Sequence, residues 1–395
     1  MSRMNMQEND AANENKITQS ADQKIPAALK RSFVRRHSLA IALLSTILIA
    51  ASVVSCSGPN PYYDANIPHR AQDGFKNNYL QGDIGGSFLK WQWERLSQGL
   101  PKPPADGYHL PIVKSEPGWL QANKTATTAT WIGHATVLVQ LRGVNILTDP
   151  VWSDRASPFT FIGPQRKVPP ALDYSKLPHI DVVLISHNHY DHLDKATVLK
   201  LNEQTGGAPL FLVPLGIKSW MADIGITNVQ ELDWWEMTEI KGLNFNFVPV
   251  QHWSARGLTD RFKTLWGGWA VQTQNAVAHP DKNKPFSFLF AGDTGFSKDF
   301  EDIGKRFGSF ELALLPIGAY APRWFMKAQH VDPGEAVKIH QNVHAGRSIA
   351  IHWGTFELSD ESIDEPPKAL EQELKKANIS TDSFVALKHG EMMRF

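Results

Sequence analysis

Between Ser186 and Asp194 the chain places three imidazoles and two carboxylates within nine residues, in the order Ser-His-Asn-His-Tyr-Asp-His-Leu-Asp. An apolar run at 182–185 stands directly before them and reads as a strand that delivers metal ligands to its end. Side chains two apart on an extended segment share a face, so His187 and His189 can reach one ion. A turn after them carries Asp191 and His192 towards a second. Neutral imidazole and carboxylate oxygen are the donors that Zn²⁺ takes in open, catalytic sites. A hydrated loop of clustered histidines is the alternative, and it leaves the strand-then-turn context unexplained.

The elements that must position such a site recur later in the chain. Three further strand-like runs, 245–252, 286–293 and 348–352, end on His252, Asp293 and His352. One histidine at a strand end is usually structural; four strand ends with ligands suggest a rigid scaffold presenting them along a common edge. The seven groups divide between two ions: His187, His189 and His252 on the first, Asp191, His192 and His352 on the second, with Asp293 bridging. Water between two such cations loses a proton near neutral pH, which supplies a hydroxide nucleophile in a chain with no Ser or Cys nucleophile motif. Hydrolysis is the reaction class that follows. Asp149 and Asp194 either orient ligating imidazoles or serve as turn and cap residues.

The chain has 395 residues, long enough for one large domain or two ordinary ones, and a globular composition. Lys+Arg and Asp+Glu balance at 40 each, so no basic field exists to gather nucleic acid. A single cysteine, Cys56, excludes an intramolecular disulfide and a thiolate zinc cluster. It follows the apolar segment 39–54, itself preceded by Arg35, Arg36 and His37, as in a secretory signal. Three readings stay open: cleavage and lipidation at Cys56, an uncut membrane anchor, or an inert buried thiol. We expect residues 1–56 to be a polar n-region plus this apolar segment, 57–124 to wrap the domain as an arm with a helix around Phe88 to Leu96, and 125–395 to form a hydrolase domain. Strand and helix alternate in that last part, with helices expected at 195–202 and 332–340, which predicts layered α/β packing.

The His-x-His-x-Asp-His run of His187, His189, Asp191 and His192, completed by His252, Asp293 and His352, resembles the metallo-β-lactamase superfamily. That resemblance implies a four-layer αβ/βα sandwich with a two-zinc site at one edge. A closer similarity is to phospholipases D that hydrolyse N-acyl-phosphatidylethanolamine. It is carried by 131–136, 186–194, 231–236, 291–295, 301–308, 316–326, 329–333, 350–356 and 387–391. It implies cleavage of that membrane phospholipid to N-acylethanolamine and phosphatidic acid by the metal-bound hydroxide. Asp191 would orient or deprotonate the nucleophile, Gln329 and His330 would contact the phosphate, and His330 would act as electrophile or general acid. A homodimer is a further implication.

Residues alone leave other readings open for these positions. His330 stands where a helix-preceding cap would stand, and Trp253, Trp266, Trp269, Tyr320, Trp324, Phe325 and Trp353 could line an acyl groove or fill a core. Arg256 and Arg323 could attract a headgroup or be paired surface charges. The polar insertion 274–284 and the N-terminal segment depart from the animal enzymes, so a lactonase or another phosphodiesterase is the second functional reading. A non-catalytic metal-binding envelope lipoprotein is the third. The localisation expected is the cell envelope, periplasm-facing and anchored through Cys56.

Overall fold

Short apolar runs joined by tight turns can bury their faces only by pairing, and the chain after Thr127 does this twice. The computed structural model describes residues 59–80, 87–274 and 285–395. The apolar segment 39–54, Cys56 and all of the polar insertion but Gln274 lie outside them. Among the described residues no helix is long and apolar enough to cross a membrane.

The described chain begins with an arm whose strands β1 (Arg70–Ala71) and β2 (Gly74–Phe75) make a small hairpin. Gly74 has φ +151°, and a Cβ there would lie 2.3 Å from the Phe262 carbonyl oxygen; only glycine lets the arm come this close. Helices α1 (Phe88–Gln98) and α2 (Pro117–Ala122) follow.

β3 (Thr128–Gly133), β4 (Thr136–Leu141) and β5 (Val144–Thr148) form an antiparallel meander. β6 (Val182–Leu184), β7 (Leu210–Pro214) and β8 (Val229–Leu232) extend it in parallel. Parallel neighbours need a crossover, which α3 (Lys195–Asn202) and α4 (Ile217–Asp223) supply. The second half repeats the plan. β9 (Met237–Ile240), β10 (Leu243–Val248), β11 (Gly268–Thr273) and β12 (Ser287–Phe290) are antiparallel. α5 (Asp299–Phe307), β13 (Phe310–Pro316), α6 (Arg323–Met326), α7 (Pro333–Asn342), β14 (Ala345–Ile351), α8 (Glu365–Lys376) and β15 (Phe384–Val385) continue it, with β13 to β15 parallel to β12. The last strand, β16 (Met392–Arg394), returns to pair with β3 in the first sheet.

Alternation along β4 shows how the layers form. Val137, Val139 and Leu141 enter a core shared with Phe245, Phe247, Trp269 and Phe288 of the second sheet. Leu138, between them, faces the opposite way onto a cluster with Val198, Leu201, Ile217 and Met221 of α3 and α4. On the outer side of the second sheet, Phe300, Val337, Ile339 and Leu374 of α5, α7 and α8 close the fourth layer. The layers thus run helix–sheet–sheet–helix, the four-layer sandwich that the resemblance implies. Each large side chain buried in it contributes on the order of 1.5–3 kcal/mol, and that apolar surplus makes room for a buried polar centre.

Candidate metal centre

After β6 the backbone leaves the ladder, and Asp149 takes over the pairing: its Oδ1 accepts the Ser186 amide hydrogen at 2.7 Å. The amide hydrogens of His192 and Leu193 then donate to the His189 carbonyl at 3.1 and 2.9 Å, a turn that brings Asp191 and His192 inward. Asp194 ends it as the N-cap of α3, accepting from Ala196 N at 3.2 Å and also from Ser153 and Thr197. It is a cap and loop anchor, and orients no ligating imidazole.

Two groups of donors result. His187 Nε2 lies 2.8 Å and His252 Nε2 3.3 Å from His189 Nδ1. Asp191 Oδ2 lies 3.3 Å from both His192 Nε2 and His352 Nε2. Asp293 stands between the groups, its Oδ2 3.1 Å from His192 and His352 and 3.9 Å from His187 and His252. All seven expected donors therefore converge. β6 in the first sheet and β10, β12 and β14 in the second deliver them, so the common edge belongs to two sheets.

The far ring nitrogens are held as ligands require. His192 Nδ1 meets Asp149 Oδ2 at 2.6 Å, His252 Nδ1 the Gln329 carbonyl at 2.9 Å, and His187 Nδ1 the Ser186 hydroxyl oxygen at 2.8 Å. Each Nδ1–H donates outward, which leaves the Nε2 lone pair facing in. Burial pushes His187 well below the usual histidine range, His189 to about 4 and His252 to about 3. These three are neutral at pH 7 and ready to bind a cation. For His352 burial opposes charge, but Asp293 and Asp191 outweigh it and raise the ring to about 9. Burial likewise opposes the charges of Asp191 and Asp293, yet their histidine neighbours hold both carboxyls well below the usual range.

Backbone strain concentrates here: His134, Asp149 and His352 have φ of 53°, 29° and 60°. Gly318 after β13 packs on this strained backbone, where a Cβ would lie 2.1 Å from the His352 carbonyl oxygen.

A cation fits this donor set. Five imidazoles and two carboxylates without a thiolate suit a borderline divalent metal. The donors within each group lie no more than 4.8 Å apart. Asp293 Oδ1 is buried without a hydrogen-bond partner among the described residues. A buried carboxylate so placed costs several kcal/mol unless a charge meets it.

Sequence reasoning missed His134. Its Nε2 lies 3.0 Å from Asp191 Oδ2, and it groups with Asp191, His192 and His352. It directly follows β3, the same strand-end signal that marks the other donors. A cavity of about 410 Å³ opens on the centre, reaching His189, Asp191, Asp293, Gln329 and His330. Its apolar wall includes Trp253, Phe325, Met326 and Leu358, and also Phe88 and Trp91 of α1. Trp266 and Trp269 are core, Trp353 stacks on Trp131, Tyr320 bonds Glu365, and Trp324 is partly exposed. Gln329 orients His252 through its main chain, and its side-chain amide meets the Met326 sulfur.

Neither Arg256 nor Arg323, the two arginines that could attract a headgroup, lines this cavity. Arg256 lies half-buried between Tyr190 and Trp220 and donates to the Asn188 and Leu193 carbonyls, bracing the ligand turn. Arg323 is paired with Asp332 and Glu335 and donates to the His330 carbonyl at 2.8 Å. Among the described residues that line the cavity is one arginine, Arg261, set over the face of Trp253. A larger cavity, about 850 Å³, adjoins Tyr190 but contains none of the seven donors, so size alone does not mark the centre.

Residues 144–353 match the beta-lactamase superfamily domain. The chain is 44% identical over 276 residues to N-acyl-phosphatidylethanolamine-hydrolyzing phospholipase D 1 of Caenorhabditis elegans, covering 67% of this chain and 74% of that one. It is 38% identical to the mitochondrial protein of that name from Saccharomyces cerevisiae, covering 67% of this chain and 55% of the yeast protein. A metal-dependent hydrolase of Methanopyrus kandleri is 29% identical, covering 66% and 97%. Among solved structures, isothiocyanate hydrolase from Delia radicum gut bacteria superposes with a TM-score of 0.54 at 19% identity, covering 68% of this chain and 99% of that one. Igni18, a metallo hydrolase of Ignicoccus hospitalis, superposes at 0.51 with 22% identity, covering 69% and 99%.

Proposed function

Because the chain belongs to the beta-lactamase superfamily, as a metal-dependent hydrolase, we propose that it is a two-zinc phospholipase D cleaving N-acyl-phosphatidylethanolamine to N-acylethanolamine and phosphatidic acid. The observation that carries this reading is the cavity, which joins an aromatic and aliphatic wall to a cluster of metal donors without an intervening barrier. A diacyl phosphodiester with an amide-linked chain has that same division into apolar and anionic parts. The name borne by the worm and yeast relatives supports the choice of substrate.

His187, His189 and His252 would hold one ion, Asp191, His192 and His352 the other, with Asp293 between. Ions bound there supply Lewis-acid polarisation of a phosphoryl oxygen and acidify water. The chain's own groups do the rest. His330 lies beside Asp293, with Nδ1 3.8 Å from Oδ2, and burial pushes its ring down to about 3. It is therefore a neutral hydrogen-bond donor to the phosphate or to the departing alkoxide, which takes up the proton that the attacking water gives up, and not an imidazolium acid. Asp191, partly open to the cavity, orients the attacking water. Trp253, Phe325 and Leu358 exclude bulk water and hold the acyl chain, and Arg261 meets the anionic head. In the same reading the chain is lipidated at Cys56, faces the periplasm from the envelope membrane and pairs as a homodimer.

Purified full-length protein with N-acyl-phosphatidylethanolamine in mixed micelles should release equimolar phosphatidic acid and N-acylethanolamine. Hydrolysis of lactones or simple phosphodiesters with none of this lipid cleaved would replace the assignment. Palmitate labelling of wild type lost in Cys56→Ala supports the anchor; equal labelling removes it.

A further inference from the structure

His252 stands clear of the strand that delivers it. β10 ends at Val248, and only Gln251 makes a further bridge, to Gly295. The peptide groups of His252 are instead satisfied from 175 residues earlier: Asn77 Oδ1 accepts its amide hydrogen at 3.0 Å, and Asn77 Nδ2 donates to its carbonyl at 2.9 Å. A side-chain amide has the donor and acceptor of a peptide, so Asn77 replaces the neighbouring strand that this segment lacks. Asn77 Oδ1 also accepts from the indole N–H of the buried Trp266 at 3.0 Å.

Asn77 does not depend on His252 for its own place. On one side Phe75 N donates to the Phe262 carbonyl at 2.8 Å, beside the tight Gly74 contact. On the other, Asn78 donates to Asp299 at 2.9 Å. Further back, His69 and Arg70 both bind Asp233. With the ring fixed by the Gln329 carbonyl and the peptide fixed by Asn77, neither end of His252 is free to drift. The arm lies outside residues 144–353, the part of the chain that matches the superfamily domain.

We propose that Asn77 is a positioning residue of the metal centre: through it the N-terminal arm sets the affinity of the His187–His189–His252 group for its ion. This rests on the two-ion part of the functional reading and not on the substrate.

The test titrates metal-free full-length protein with Co²⁺, followed by visible absorption, and with Zn²⁺ against a chromophoric chelator. Wild type should take up two ions. Asn77→Ala should bind one of them about 10–100-fold more weakly, as loss of an outer partner of a ligand does, with a changed Co²⁺ spectrum and the other ion unaffected. Asn77→Asp keeps the acceptor and should lie between. Tyr62→Phe, which cuts the arm's bond to Glu231 away from the centre, should titrate as wild type. A folded Asn77→Ala with wild-type affinities overturns the proposal, as does an equal loss in Tyr62→Phe. If Asn77→Ala does not fold, wild-type affinity in Asn77→Asp overturns it. Wild type that takes up no metal overturns the two-ion reading and this inference together.

Discussion

His134 touches two metal donors by different parts of itself: its ring Nε2 is 3.0 Å from Asp191 Oδ2, and its carbonyl accepts the His352 amide hydrogen at 3.0 Å. Both His134 and His352 sit in the left-handed region, so each holds the other in a conformation it would otherwise leave. His134→Ala should therefore lower occupancy at the second position and cut turnover about 10–100-fold. Metal analysis after dialysis reads this directly. Two ions retained with unchanged turnover would remove His134 from the centre.

The two donor groups should differ in how pH affects loading. His187, His189 and His252 are already neutral at pH 7, with the latter two displaced to about 4 and about 3, so that group binds its ion without releasing protons between pH 6 and 8. His352, raised to about 9, and His192, whose burial is outweighed by Asp293, Asp191 and Asp149 so that it stands well above the usual histidine range, are both protonated at pH 7 and must lose their protons to bind. Affinity at the second position should rise steeply with pH, by up to about a hundredfold per unit while both rings are charged, and less steeply once pH passes about 9. Calorimetry in buffers of different ionisation enthalpy counts the protons released; equal counts for both ions would contradict this.

For His330→Ala we expect a fall in kcat of about 10²–10⁴-fold with metal content retained. Arg323→Met, which removes the donor to the His330 carbonyl, should show a smaller loss of the same kind. If the acid limb of the pH–rate profile instead followed His330, an imidazolium role would return.

His389 sets part of the acid stability. It is buried against Trp131 and near Thr355, and burial first, then Arg166, pushes its ring down to about 4. A depressed histidine stays neutral in the fold while the unfolded chain takes up a proton below pH ~6.5. Its contribution is thus full above that pH and is lost as pH falls towards 4, by up to about 3 kcal/mol. His389→Gln, compared with wild type by urea unfolding from pH 7 to 4.5, should flatten this limb. Parallel curves would exclude His389.

The seven donors were legible because each ends or follows a strand-like apolar run and because histidine and aspartate in that rhythm have few other uses. The layered fold was legible from the same runs. His134 gave the same strand-end signal, but seven donors already filled the places round two ions, so the residues alone did not call for an eighth. Asp194 read equally well as ligand partner or cap, since both roles ask for a carboxylate at the start of a helix, and the cap won. Contacts that run through the main chain, such as the Gln329 carbonyl on His252, leave no trace in residue type. Nor do partners brought together over long separations, as with Asn77 and His252 or with Phe88 and Trp91 at the cavity. Arg256 and Arg323 could be read as headgroup sites or as paired charges; Arg323 is paired and Arg256 braces the ligand turn, uses that suit a cation as well as an anion site does.

The donors come from both sheets, His187 to His192 from one and His252, Asp293 and His352 from the other, and this ties the ions to the cohesion of the whole molecule. An ion shared across that boundary is a cross-link that exists only while the two halves are in register. Its binding energy adds to the folding free energy, and the unfolded chain, left with one short histidine cluster, cannot compete for it. A chelator should then act on this protein as a mild denaturant, lowering the melting temperature, and heat should release metal and separate the sheets in a single transition.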